Sequence, residues 1–573
     1  MPTRSFIDFA SEDRILGILI KERVKWIGKS DEQRAQSPVY EELCKILPPQ
    51  RTWVTPGKES RSQLKNSRTR QLQNAATALR KTISRDRSGI CKRKEGNKDL
   101  SRPGYLPKLS SFVQEIKGRI TSGNVSLKKP GTTAIFKQNE DLEDRVLVTF
   151  RPISVYDDLK TKVLIKLASQ YLTELLDPLF HEEILSYRIR RNYHGEHPKE
   201  LYMTKADDAV PNILKFKQEH ETVWVAECDI KKFYDIVNHR CVMESLERLL
   251  EKGHIDRKRA TGAIEILKAY LDGYNFKESV LEKSREPGFW NPYLPGLGKK
   301  LKAGKKKIEC QFGWVDEHEL GDDLRQVGIP QGGVLSTLIC NILMNDVDQA
   351  VVDPNDPDRF FNRFGDDILL MHATEEGCRR LFEAYKASLT AHKLIYHDEK
   401  TIGDNYKDGR LTRADYWNEK TKAPFLWGPG EGNAAEWIGF VGYEIRYDGE
   451  IRLRKSTLKK QFNKICFQFH KATHIDTIKS GVANCMKGID KCAWSILKFE
   501  QLDFNPASRR QMHHLDRYRH NKRNKALLYL STLPQEKAKE QKEAKKGPAS
   551  YASLLARRKR GEGIGDEPYF SAL

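Results

Sequence analysis

Two apolar runs flank a glycine and two adjacent acids in Phe360-Phe361-Asn362-Arg363-Phe364-Gly365-Asp366-Asp367-Ile368-Leu369-Leu370-Met371. The pattern predicts a β-hairpin whose tight turn carries Gly365 and both aspartates. A second Gly-Asp-Asp, at 321–323, lies between His318-Glu319-Leu320 and Leu324-Arg325-Gln326. It lacks apolar strands and reads as a polar loop. Arg145 to Phe150 alternates as a strand and turns at Arg151-Pro152-Ile153. Trp224 to Ile230 is a second buried strand, with Asp229 at its C-terminal end. Trp437 to Ile445 and Glu450 to Arg454 form a further hairpin across Tyr447-Asp448-Gly449.

Apolar positions at helical spacing predict helices over 6–28, 71–83, 157–176, 239–251, 334–352 and 375–394. The third is capped by the Asp157 carboxylate and ends at Pro178. Helices dominate from Ser456 to about Leu533. The segments 285–307 and 404–436 read as insertions, the first a basic Gly/Pro-rich loop and the second polar. Residues 534–546 are a charged linker, and Arg557-Arg558-Lys559-Arg560 lies in a basic tail.

Composition changes this picture in two ways. The 573 residues carry a net charge of +21, and they carry it unevenly. From Arg51 to Lys129 there are 20 Lys/Arg against 5 Asp/Glu, a local charge of +15. A field of that size favours polyphosphate partners, and hence nucleic acid, over an ordinary solvated face. Outside 71–83 this stretch reads as loops or arms that order on a partner. Ten scattered cysteines form no CxxC pair, which argues against a zinc knuckle and for a reduced compartment. No apolar run approaches the roughly 18 residues that span a bilayer, and the first twelve residues lack the plan of a signal peptide. A cytoplasmic protein without a membrane partner is expected.

Candidate chemistry gathers on the acids. Two buried carboxylates at a turn are costly unless something positive compensates. Hard divalent cations such as Mg²⁺ would do so, and two of them roughly 4 Å apart can activate a hydroxyl and stabilise a leaving pyrophosphate. An ordinary solvent-facing Asp-Asp turn is the plainer alternative. Asp229 at a strand end is a third ligand or a core-edge residue. Tyr234, five residues on, closes space beside a sugar or simply packs. Arg145 and Arg151 bracket a strand and either hold a triphosphate or form surface ion pairs. Gly328-Ile329-Pro330-Gln331-Gly332-Gly333 brings backbone close to a ligand or is a glycine turn before a helix.

Taken in order, the acid strand, the Gly-Ile-Pro-Gln-Gly-Gly turn, the apolar-flanked Phe-Gly-Asp-Asp, the Lys400-Thr401 strand and the Trp437-Ile438-Gly439-Phe440 hairpin resemble a reverse transcriptase palm. The resemblance is to the bacterial group that includes group II intron, retron and defence-associated enzymes, and it covers roughly 140–455. It implies an α+β right-hand polymerase: fingers and palm of antiparallel sheet plus helices over 131–455, an α-helical thumb over 456–533, a basic tail over 534–573, and an N-terminal extension over 1–130, helical and then RNA-binding.

It further implies that Asp229, Asp366 and Asp367 bind two Mg²⁺ ions, with Mn²⁺ as a substitute and the Ile230 carbonyl as a backbone ligand. Tyr234 would exclude a ribose 2′-hydroxyl. Gln331, Gly332 and Gly333 would line the template–nucleotide pocket. Arg145 and Arg151 would contact the triphosphate, Lys400 would give a proton to pyrophosphate, and Trp437-Ile438-Gly439 would grip the primer. Partners would be a structured non-coding RNA, dNTPs and a DNA product. Phe364-Gly365 departs from the family's tyrosine–alanine or tyrosine–valine. Gly365 is similar to viral RNA-dependent RNA polymerases, but an aromatic at Tyr234 favours deoxynucleotides. No C-terminal metal-finger endonuclease pattern is found, so a retron-like or antiphage role fits better than intron mobility. Template-independent or protein-primed synthesis, and an inactive RNA-binding scaffold, are the alternatives.

Overall fold

A computed structural model of the protein describes residues 4–54, 68–88, 103–191, 201–203, 209–294, 306–315, 325–402, 416, 419–430 and 432–454. The acids at 321–323, the expected thumb and the tail lie outside the described residues. Among the described residues, no helix is long and apolar enough to cross a membrane.

The single helix expected over 6–28 is two, Phe6–Phe9 and Glu12–Val24. Ser11 is extended, and its hydroxyl accepts the Arg14 N–H, so a new helix starts there. Phe6 and Phe9 pack edge-on against Tyr171, with ring centroids at 5.3 and 5.1 Å. These helices therefore share one core with helices Leu159–Leu176 and Arg257–Asp272. The basic region is more ordered than its charge suggested. Its foreseen helix runs Arg68–Ser88, and a second, Tyr105–Thr121, buries Leu109, Phe112, Val113, Ile116 and Ile120. That spacing is helical, but lysines and arginines on the outer face masked it. Helix Leu159–Leu176 is capped by Asp158, one residue later than expected, through the Thr161 N–H at 2.7 Å.

In chain order the strands are β1 Gly131–Asp141, β2 Arg145–Val155, β3 Ile189–Arg191, β4 Leu201–Met203, β5 Trp224–Asp229, β6 Lys307–Phe312, β7 Arg359–Phe364, β8 Asp367–His372, β9 Glu399–Lys400, β10 Thr421–Trp427, β11 Ala434–Ala435, β12 Trp437–Phe440, β13 Tyr443–Arg446 and β14 Ile451–Leu453. The central sheet runs β11-β10-β5-β8-β7, with β9 on β10. It is covered on both sides, and successive residues of one strand enter opposite cores. Ile368 and Leu370 join the helices, while Leu369 and Met371 join the face carrying Phe425 and Trp427. Burial of both faces is why these strands read as continuous apolar runs.

Strand β10 corrects the reading of 404–436 as a polar insertion. It pairs antiparallel with β5 and is nearly all buried. Pro424 sits at a register shift between Lys422 and Phe425, where a missing N–H is tolerated. Lys422 faces Glu227 across the pair, Nζ to Oε2 2.5 Å, with both side chains almost fully buried. Lysines and a proline thus disguised a central strand.

A second sheet is β1-β2-β6, with β6 parallel to β2. Part of 285–307 is therefore not a free loop. Trp290 and Tyr293 pack on Phe150 at 5.1 and 5.6 Å, and the Tyr293 hydroxyl accepts the Ala134 N–H. The Trp437–Ile445 strand breaks at Val441-Gly442, both of positive φ, into β12 and β13, and β14 completes that sheet. Helix 334–352 stops at Asp348 and ends in one 3₁₀ turn, and helix 375–394 ends at Ala391.

Candidate active site

Asp229 closes β5 and is the register partner of Asp367, the first residue of β8. Directly paired residues on antiparallel strands have Cα atoms about 5 Å apart. Gly365 and Asp366 form the two-residue turn between β7 and β8, and Gly365 takes φ +72°, which glycine reaches without steric cost. Only one of the two adjacent acids therefore lies in the turn. The other begins a strand, because the apolar run requires Ile368 to point inward.

The turn is held from below. Arg363, fully buried on β7, donates Nε to Asp348 at 2.8 and 3.1 Å and Nη1 to the Gly365 carbonyl at 2.9 Å. On the outer side of β7, Leu185 N donates to Arg363 O and Arg363 N donates to Glu183 O.

The three acids feel one another. The Asp367 carboxyl is pushed up to about 6, first by desolvation and then by the charges of Asp366 and Asp229. Asp367 keeps an open face to solvent, so this desolvation is that of a cleft floor rather than of a sealed core. Desolvation also raises Asp366, with Asp229 adding to it. Asp229 meets the ammonium of Lys420, and His397 Nε2 lies 3.8 Å from it. The site thus has a deficit of positive charge, and a lysine supplies part of what is lacking. Three carboxylates suit a hard divalent cation in donor chemistry. Among the described residues, however, no three acidic, histidine or cysteine side chains are gathered tightly enough to hold an ion. Asp229 is turned to Lys420 instead.

A basic cluster lies beside the acids. Burial first, and then repulsion from Lys232, Arg151 and Lys420, lowers the Lys137 ammonium to about 8. Arg151 and Lys420 also act on Asp366. Lys232 has φ +51°, and its ammonium covers Gly313, where any Cβ would collide. Arg145 is not part of this cluster. It stands six residues before Arg151, roughly 20 Å along an extended strand, and pairs with Asp144 and Glu309. Alternation put both arginines on one strand without saying how far apart they act. Lys400 is displaced too: β9 pairs with the edge of β10 away from β5, and Lys420 occupies the place beside Asp229.

Gln331 donates Nε2 to buried Asp235 at 2.7 Å, and its carbonyl accepts the Ser154 N–H. Desolvation pushes the Asp235 carboxyl up to about 7, against the pull of Gln331 and Lys232. Gly332 takes φ +81°, and Gly333 leads into helix Val334–Asp348 at a point where a Cβ would strike the Tyr270 hydroxyl. Tyr234 lies on the short helix Phe233–Ile236, edge-on to Phe233. Ile230 is bridged to Tyr396. Trp437 lies under Arg452 and Arg446, and Gly439 leaves room for the Arg454 guanidinium. Arg454 in turn draws the Asp367 carboxyl down. The sequence missed Lys137, Asp235 and Lys420. Lys232, beside Asp229 in a Lys-Lys pair, was visible but unused.

Residues 135–403 match the family model described as reverse transcriptase (RNA-dependent DNA polymerase). The chain carries a reverse transcriptase domain. This domain is an RNA-directed DNA polymerase, a nucleotidyltransferase of α+β fold. The matched stretch stops at 403, short of β10, so the reverse transcriptase sheet is completed from beyond it. No curated protein matches the chain. Among solved structures, a Candida albicans telomerase in complex with a fragment of telomeric RNA is 14% identical, covering 93% of this chain and 83% of that one at a TM-score of 0.33. A truncated apo telomerase from Candida tropicalis is 12% identical, covering 79% and 84% at 0.34. Likenesses at such TM-scores carry no argument about this chain.

Proposed function

We propose that this reverse transcriptase domain copies a bound RNA into DNA, with fingers and palm spanning 131–455. The observation that carries the reading is the Asp229–Asp367 register pair with Asp366 on the adjoining turn, the Asp366 and Asp367 carboxyls being raised by desolvation and then by neighbouring negative charge. Asp366 and Asp367, joined by Asp229 once it turns away from Lys420, would hold divalent cations, Mg²⁺ or Mn²⁺, with the Ile230 carbonyl beside them. When bound, such ions neutralise developing charge and ease loss of a hydroxyl proton.

A primer 3′-oxygen bonds to the α-phosphorus of a dNTP as the bond to pyrophosphate breaks. Lys137, Arg151 and Lys232 screen the triphosphate. Gln331, fixed by Asp235, lines the pocket with Gly332 and Gly333. Tyr234 stands against the sugar, and Trp437, Ile438 and Gly439 support the primer end. Arg145, held by its own acids, takes no part. Lys420 is better placed than Lys400 to approach the leaving group. The basic 51–129 region would dock the RNA, and a cytoplasmic retron-like or antiphage setting follows from the sequence resemblance.

The test is incorporation of labelled dNTP by the pure protein on an RNA template. Asp366→Ala and Asp367→Ala should each abolish it while leaving RNA binding intact. Robust synthesis by the double variant would sink the proposal.

A further inference from the structure

The sheet β12-β13-β14 has one apolar face and one that carries arginines. Ile438, Phe440, Ile445 and Leu453 enter the core shared with Leu369 and Met371 of β8. Alternation therefore turns Trp437, Gly439, Glu444, Arg446 and Arg452 to the other face. There Trp437 is the register partner of Arg446, and Glu444 is that of both Gly439 and Arg452. Arg452 lies 3.7 Å over the Trp437 ring and pairs with Glu444. Arg446 pairs with Asp448 and Glu450. Both of these charges are answered by acids of the same small sheet and its turn.

Arg454, two residues beyond Arg452, has no such answer. Its backbone N–H is anchored on the Gly442 carbonyl at 3.0 Å, at the break between β12 and β13. Its guanidinium lies over Gly439, where a Cβ would stand 2.1 Å from Nη2 and 2.8 Å from both Cζ and Nε. Among the described residues it pairs with no carboxylate, and its buried Nε has no hydrogen-bond partner. A half-buried guanidinium is costly to leave unmatched, and its planar fork suits two phosphate oxygens. Position says which phosphate. β12 lies against β8, which begins at Asp367. A strand whose 3′-oxygen reacts beside that acid brings its last linkages to the same neighbourhood.

We propose that Arg454 binds a phosphodiester of the primer strand close behind its 3′ end, and that position 439 is glycine because only there can the guanidinium pass. This rests on the reading of Trp437 to Gly439 as the primer support. Arg446 and Arg452, already paired, hold Trp437 in place instead of contacting the strand.

The experiment measures binding of primer annealed to an RNA template by the full-length protein, over a series of salt concentrations. Each primer carries a single uncharged methylphosphonate linkage, moved back one position at a time from the 3′ end. In wild type, neutralising one linkage near that end should weaken binding about tenfold, as for one charge-assisted hydrogen bond. Arg454→Gln should lose the same tenfold on the normal primer and be indifferent to that methylphosphonate, because both remove one contact. It should also flatten the slope of log affinity against log salt by about 1. Arg454→Lys keeps the charge, so it should keep the slope and regain part of the affinity, which a merely structural arginine would not produce. Gly439→Ala should reproduce the loss of Arg454→Gln and add nothing to it. If one linkage matters equally to wild type and to Arg454→Gln, the primer support stands and Arg454 is not its contact. If no linkage near the 3′ end matters to wild type, the primer-support reading fails and the proposal fails with it.

Discussion

Arg363→Met tests how the β7–β8 hairpin is held. Arg363 and Asp348 are both wholly buried, and the same guanidinium also bonds the Gly365 carbonyl at 2.9 Å. An exposed pair would be worth about 1 kcal/mol or less. Removing one member of a buried pair strands the other, at a cost of about 3–5 kcal/mol. Burial already pushes the Asp348 carboxyl up to about 6 even with Arg363 pulling it down, so the stranded acid would protonate rather than stay charged. The urea midpoint of Arg363→Met should therefore fall well below that of wild type. Replacing both residues, Arg363→Met with Asp348→Leu, leaves no stranded charge and should recover most of the stability. It cannot restore the bond to Gly365, so dNTP incorporation should remain low while the midpoint recovers. Full recovery of both properties in the double variant would refute the idea that Arg363 positions the turn. A single variant losing less than about 1 kcal/mol would refute the magnitude.

Other outcomes follow from the same geometry. Asp235 has a folded pKa of about 7, above the roughly 3.9 of an unfolded aspartate. Its contribution to stability is thus fully present below about 4 and is lost as pH rises to about 7, since the folded state holds the extra proton. Asp235→Asn keeps an acceptor for Gln331 and cannot ionise, so it should become more stable than wild type as pH rises from 5.5 to 8. The gain is on the order of 4 kcal/mol at most, and thermal melts in which the gap does not widen would contradict it. Lys420→Ala removes the ammonium from Asp229 and should lower the Mg²⁺ concentration giving half-maximal incorporation by a few-fold, as expected for a partly exposed charge. Lys400→Ala should not, and equal effects of the two in a Mg²⁺ titration would be the adverse result.

The sequence by itself determined the hairpin and its acids, because continuous apolar runs on either side of a glycine turn are a local property. It likewise determined the β5 strand ending in Asp229 and the glycine turn before Val334, whose backbone demands are local. Helix ends were legible to within a few residues, except at Ser11, where a cap interrupts an otherwise continuous apolar face. Tertiary structure alone decided what depends on pairing partners. Strand β10 was hidden because Lys422 within it and Lys420 just before it are neutralised by acids distant in sequence, Lys422 by Glu227 and Lys420 by Asp229. The same distance effect moved Lys420 into the place expected for Lys400 and left Arg145 with Glu309, far from Arg151. Arg454 had no local signal at all: only the paired strands lay its guanidinium over Gly439. Charge is judged by its surroundings, and surroundings exist only after the chain has folded.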